Sequence, residues 1–131
     1  MASLYKEIDI DAPADQVWDA VRDVGALHTR LVPGFVVDTR LEGEARLVTF
    51  ANGLVAREAI VSIDDGRRRL VWNATGGRTT HYNAALQVAA AGSGSRVAWT
   101  IDLLPHDMAA PIAAMQDQGL AAMKRALERK S

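Results

Sequence analysis

Hydrophobic residues alternate with polar ones along most of this chain, and only near its two ends do they recur at helical spacing. Alternation over 4–10 predicts a first strand. Val17, Trp18 and Val21 then share one helical face and predict a helix over 13–22. Pro13 separates the two, because its missing N–H interrupts a strand ladder yet does no harm in a first helical turn. A second short helix is expected over 25–31, before Val32-Pro33-Gly34. Strands follow at 35–41, 44–51, 54–63, 68–75, 79–89 and 96–104, each bounded by turn residues such as Glu42-Gly43, Asn52-Gly53, Asp65-Gly66, Gly76-Gly77 and Gly92-Ser93-Gly94. Such closely spaced strands read as an antiparallel meander. Ile112, Met115, Gln116, Gly119, Leu120, Met123 and Leu127 return to helical spacing and predict a long helix from about Ala110 to Arg129, with Pro111 in its first turn.

The opening run Ile8-Asp9-Ile10-Asp11-Ala12-Pro13-Ala14-Asp15-Gln16-Val17-Trp18-Asp19-Ala20-Val21 resembles the SRPBCC (START-like) superfamily, and within it the polyketide cyclase/dehydrase-type members. The resemblance implies an α+β helix-grip fold, in which a curved seven-stranded antiparallel sheet wraps around a long C-terminal helix and two short helices follow the first strand. It also implies a cavity for an apolar ligand, since one helix laid across a curled sheet cannot fill the volume beneath it. Members include enzymes, carriers, receptors and chaperone-associated proteins, so the fold places a site without naming a ligand. Gly119 in mid-helix costs about 1 kcal/mol relative to alanine, and close approach by a strand or a ligand would account for it. Met108, Met115 and Met123 supply adaptable surface to a pocket, or equally fill gaps in an ordinary core.

Candidate wall residues come from the better inner face of each strand: Arg46, Val48 and Phe50; Leu70, Trp72 and Ala74; Thr80, Tyr82, Ala84, Leu86 and Val88. Arg46 is the anomaly, because a guanidinium on an apolar wall needs a carboxylate partner, an anionic ligand or a route to water. Strand 54–63 decides between these, and its turn sets the register. A two-residue Asn52-Gly53 turn puts Phe50 opposite Val55, with Arg57, Ala59, Val61 and Ile63 inward. A three-residue loop Asn52-Gly53-Leu54 puts Val48 opposite Glu58 and turns Glu58 inward instead. Hydrophobic pattern alone favours the first. The run Gly53-Leu54-Val55-Ala56 is similar to the gate loop of plant abscisic acid receptors, whose next strand carries a pocket glutamate ahead of an Asp-Asp turn, and that resemblance implies Glu58 inward. The gate's proline is replaced by Val55, and no lysine occurs between Lys6 and Lys124 to anchor the hormone.

An inward Glu58 paired with Arg46 can serve general acid–base chemistry on a ketone-bearing ligand, or hold one polar ligand group. The reading favoured is a binder of a small hydrophobic, aromatic or polyketide-like molecule at Arg46, Val48, Phe50, Glu58, Trp72, Ala74, Tyr82, Met115 and Gly119. The alternatives are a cyclase, aromatase or dehydratase using the same cavity, and a protein-interaction module of the chaperone-activating kind. Trp18 is read as core, the direction of Asp102 stays open, and His28 with Arg30 is placed near the pocket mouth.

Composition removes other classes. At 131 residues with 49% hydrophobic content, the chain is expected to be one domain over 1–131. Charges nearly cancel, 15 basic against 16 acidic, and the sole basic run, Arg67-Arg68-Arg69, follows a turn, so a nucleic-acid partner is not expected. There is no cysteine. His28, His81 and His106 lack ligand spacing, so neither a metal site nor a cofactor is expected. Ser3, Ser62, Ser93, Ser95 and Ser131 sit in no nucleophile elbow. No signal peptide or membrane-spanning run is visible, which makes a cytoplasmic protein the expectation. A small hydrophobic molecule is the expected partner, and a homodimer is left open.

Overall fold

The structure is a computed structural model that describes residues 2–128. Strands β1 (Ala2–Ile10), β2 (Val36–Glu42), β3 (Ala45–Phe50), β4 (Val55–Asp64), β5 (Arg69–Thr75), β6 (His81–Ala91) and β7 (Gly94–Leu104) form one antiparallel sheet. Their spatial order is β1-β7-β6-β5-β4-β3-β2, a meander from β2 to β7 with the first strand returning beside the last. Helix α1 (Ala14–Arg22) follows β1, and α2 (Ala109–Leu127) lies across the concave side, which is the α+β helix-grip arrangement. Strand alternation sets the core: Val48, Phe50, Leu70, Trp72, Tyr82, Ala84, Leu86 and Val88 are buried, as are Val97, Trp99, Ile101 and Leu103 on β7.

Local departures from the expected elements have visible causes. The second short helix is a single π-helical turn, Leu27–Leu31, closed by the Val32 N–H donating to the Leu27 carbonyl at 2.9 Å. Thr80 is exposed and precedes β6, its N–H tied to the Leu104 carbonyl at 2.8 Å. Helix α2 stops at Leu127, where Glu128 turns to an extended conformation; Arg129, the expected end, lies outside the described residues. That end is fastened to β1, because Lys124 Nζ donates to the Asp9 carbonyl at 2.7 Å and Glu128 accepts the Asp11 N–H at 3.1 Å. At the same end of the strands, Asp65 accepts from Trp18 Nε1 at 2.9 Å and Arg22 Nε at 2.8 Å, pinning the β4–β5 turn to α1. The Arg22 guanidinium first, and the Trp18 indole second, hold the Asp65 carboxyl below its ordinary range.

Candidate functional site

The β3–β4 turn decides which side chains face inward. Phe50 N–H donates to the Leu54 carbonyl at 2.9 Å, and the Asn52 side chain accepts the Leu54 N–H at 3.0 Å. Gly53 takes φ +89°, a conformation open to glycine. The loop is therefore Ala51-Asn52-Gly53, which is neither of the two registers expected from sequence. Arg46 lies opposite Glu58 and Val48 opposite Ala56, not Glu58. The face assignment equals that of the three-residue reading, because a shift of two residues leaves every side chain on its side of the sheet. Glu58 faces inward and Arg57 outward, and Val55 and Val61 stand 51% and 58% exposed. A bulge between Ile60 and Ser62 breaks the alternation, which is why the hydrophobic pattern of this strand misleads.

Arg46 and Glu58 form a buried ion pair, Nε to Oε1 at 2.8 Å, with only 2% and 6% of each residue exposed. Arg46 Nη1 also donates to the Val24 carbonyl at 3.3 Å, and the guanidinium lies 5.4 Å from the centre of the Trp72 ring. The charge of Arg46 is thus matched within the protein by a carboxylate, a carbonyl and an aromatic face.

Between the sheet and the first half of α2 lies a cavity of about 910 Å³. Phe50 of β3, Ala56 and Glu58 of β4, Ala74 of β5 and Tyr82 of β6 make its floor; Met108, Pro111, Ile112 and Met115 make its roof, and Leu54, Gly76, Gly77 and Arg78 its rim. Behind it sits a chamber of about 50 Å³ whose walls include Arg46, Leu70, Trp72, Leu86, Trp99 and Met123. Phe35, Phe50, Glu58, Tyr82 and Met115 border both spaces, so the chamber is the deep end of the cavity. Phe35 and Phe50 meet edge to face at 5.4 Å within that partition. Tyr82 is buried, and burial first, then the charge of Glu58, pushes its phenol above the ordinary range. It remains a neutral hydroxyl beside a carboxylate.

Of the residues singled out in the sequence, Phe50, Glu58, Ala74, Tyr82 and Met115 border the larger space, whereas Arg46 and Trp72 border only the deep chamber. Val48 and Gly119 border neither. Val48 is fully buried, and Gly119 is where α2 presses onto the sheet: a Cβ there would lie 2.9 Å from Cζ3 of Trp99 and 3.3 Å from Phe35. Sequence reasoning missed Phe35, Ala56, Ile112 and Trp99 as lining residues. Trp99 was legible in part, since Val97, Trp99, Ile101 and Leu103 alternate as one apolar face. Asp102 turns to the convex face, where it accepts a hydrogen bond from the Ser3 hydroxyl. Arg30 is not at the mouth but bridges Asp19 at 2.6 Å and Asp23 at 3.0 Å, and His28 borders neither space. Among the described residues, no group of three or more His, Asp or Glu is placed to hold a metal, and no helix is long and apolar enough to cross a membrane.

A curled antiparallel sheet gripping a C-terminal helix over a lined cavity defines a START-like protein of the SRPBCC superfamily. The chain belongs to the family described as "Polyketide cyclase / dehydrase and lipid transport", whose model matches residues 1–128. No curated protein gives a match. Solved structures share the fold at low identity. An uncharacterised protein from Bacillus thuringiensis superposes with a TM-score of 0.85 at 19% identity, over 96% of this chain and 98% of that one. A START superfamily protein from Mycobacterium smegmatis gives 0.74 at 13%, over 96% and 94%. DynU16, from the dynemicin biosynthetic locus, gives 0.75 at 16%, over 94% of this chain but 46% of that one.

Proposed function

We propose that the protein binds a small, neutral, largely apolar molecule in the cavity beneath α2, with one hydrogen-bonding group directed at Glu58 and Tyr82. One observation carries this reading: a space of about 910 Å³, the size range of sites for drug-sized ligands, has apolar walls and an inner charge already balanced by Arg46. Among the described residues an anionic ligand finds no free cation inside; the remaining arginine at the cavity, Arg78, is on the exposed rim. The family's description and the biosynthetic setting of DynU16 agree with an aromatic or polyketide-like ligand. A cyclase- or dehydratase-type enzyme is the second reading. It is favoured by a carboxylate acceptor and a neutral phenol donor bordering the same cavity, the pair needed to move a proton and to stabilise an enolate oxygen. An interaction module is supported only by scattered exposed aliphatics, such as Val37, Val55 and Val61.

The test is titration with Nile red, a neutral apolar dye, of the native protein and of Ala74→Trp, which fills the cavity floor. Saturable one-to-one binding that weakens at least tenfold in the variant is expected. Equal binding by both overturns the cavity reading. Mass spectrometry of acetonaphthone and larger aryl polyketones recovered after incubation then separates the two chemistries: a binder returns them unchanged, an enzyme returns altered masses.

A further inference from the structure

Of the three tryptophans, Trp18 has a partnered indole N–H, held by Asp65, while those of Trp72 and Trp99 are buried and meet no acceptor among the described residues. Both rings border the deep chamber, 6.2 Å apart between centroids and inclined at 44°. Each residue is more than nine-tenths buried, at 5% and 7% exposure. An unpaired buried donor is costly and uncommon, and here the two tryptophans that carry one line the same chamber. A tryptophan N–H donates only, so what it meets must accept.

The geometry points to a ligand subsite in this chamber that takes a neutral carbonyl-type oxygen, a ketone, quinone or lactone, received by the indole N–H groups of Trp72 and Trp99. This deepens the reading that the cavity binds a small apolar molecule and rests on it. A carboxylate would bring a second negative charge beside Glu58, whose only buried countercharge among the described residues is Arg46. A chamber of about 50 Å³ admits a carbonyl tip, not a ring. The ring system stays in the larger space, with Phe35, Phe50 and Met115 around the neck joining the two. The subsite thus selects for apolar molecules whose leading atom is a neutral acceptor, a distinction that the apolar walls of the outer cavity cannot make.

Three matched probes test this: acetonaphthone, its hydrocarbon isostere isopropenylnaphthalene, and naphthoate. Calorimetry should rank the ketone about fivefold or more above the hydrocarbon, with naphthoate weakest. Trp72→Phe keeps an aromatic face over Arg46, and Trp99→Phe keeps a ring beneath Gly119; each should reduce the ketone's preference to about twofold while leaving hydrocarbon affinity within threefold. In the unmodified protein, the ketone alone should move an indole N–H proton resonance of Trp72 or Trp99 downfield and leave that of Trp18 in place. This measurement does not depend on either variant folding. If ketone and hydrocarbon bind equally, or the ketone leaves both chamber indoles unmoved because they are served by ordered water only, the subsite is refuted and the cavity reading stands. If none of the probes binds, both fall.

Discussion

Removing either member of the Arg46–Glu58 pair should cost far more than removing both. The two charged groups are 2.8 Å apart with side chains 2% and 8% exposed, so at an effective dielectric of about 20 their attraction is about 6 kcal/mol. Desolvation of both ions offsets most of that, which leaves the intact pair near neutral in net stability. In Arg46→Met the carboxylate stays behind in the chamber wall without its partner. The loss expected is about 3–5 kcal/mol, including about 0.5–2 kcal/mol from the contact between the guanidinium and Trp72. Glu58→Gln strands the cation but keeps an amide oxygen in reach of Nε, so a loss of about 2–4 kcal/mol is expected. The double variant removes both ions from the same site and should lose only about 1–3 kcal/mol. Urea unfolding of all four proteins, with unchanged slope as the check on two-state behaviour, gives the coupling directly. Single losses below about 1 kcal/mol, or losses that add to within about 0.5 kcal/mol, would refute the buried, mutually neutralised pair on which the preference for neutral ligands depends.

Gly119→Ala should destabilise although alanine is the better helix former: the gain of about 1 kcal/mol is outweighed by an added Cβ 2.9 Å from the rigid Trp99 ring. A raised melting temperature would show that α2 can shift away from the sheet at little cost. Asp65 supplies a pH dependence, because its folded carboxyl titrates below the ordinary value. Its contribution is complete above the unfolded value near pH 4 and is lost as pH falls through the depressed folded one. Thermal melts across that acid range should therefore fall less steeply in Asp65→Asn, and an unaltered slope would exclude Arg22 and Trp18 as the cause.

Much of the fold was legible because two periods carry it. Alternation marks the inner face of β3 and of β5 to β7, and the helical face of Met115, Leu120 and Met123 marks α2; tertiary burial enforces both. Register was less legible. Asn52-Gly53 announces a turn, but whether Ala51 or Leu54 completes it depends on a hydrogen bond that the Asn52 side chain accepts from the Leu54 N–H, which no hydrophobic pattern encodes. Val55 and Val61 mislead because they are exposed apolar residues, and Ile63 because the bulge beyond Ile60 brings it opposite the buried Leu70, on the other face from Val55. At the site, Arg46 was legible as a cation in need of a partner, but Glu58 as that partner came only through the gate-loop resemblance, and Trp99, Phe35 and Ile112 meet only through the crossing of α2 over the sheet. Gly119 drew notice for the right physical reason, close approach, but what approaches is Trp99.

The central claim is that a neutral apolar molecule enters beneath α2 rather than resting on the outer face of the sheet. Methyl NMR of the protein titrated with acetonaphthone tests it most directly. The methyls of Ala56, Met108, Ile112 and Met115, all bordering the cavity, should shift and saturate at one equivalent, while those of Val55, Val61 and Ala98 stay in place. Shifts confined to Val55 and Val61, with the cavity methyls unmoved, would contradict it and make the convex face the working surface.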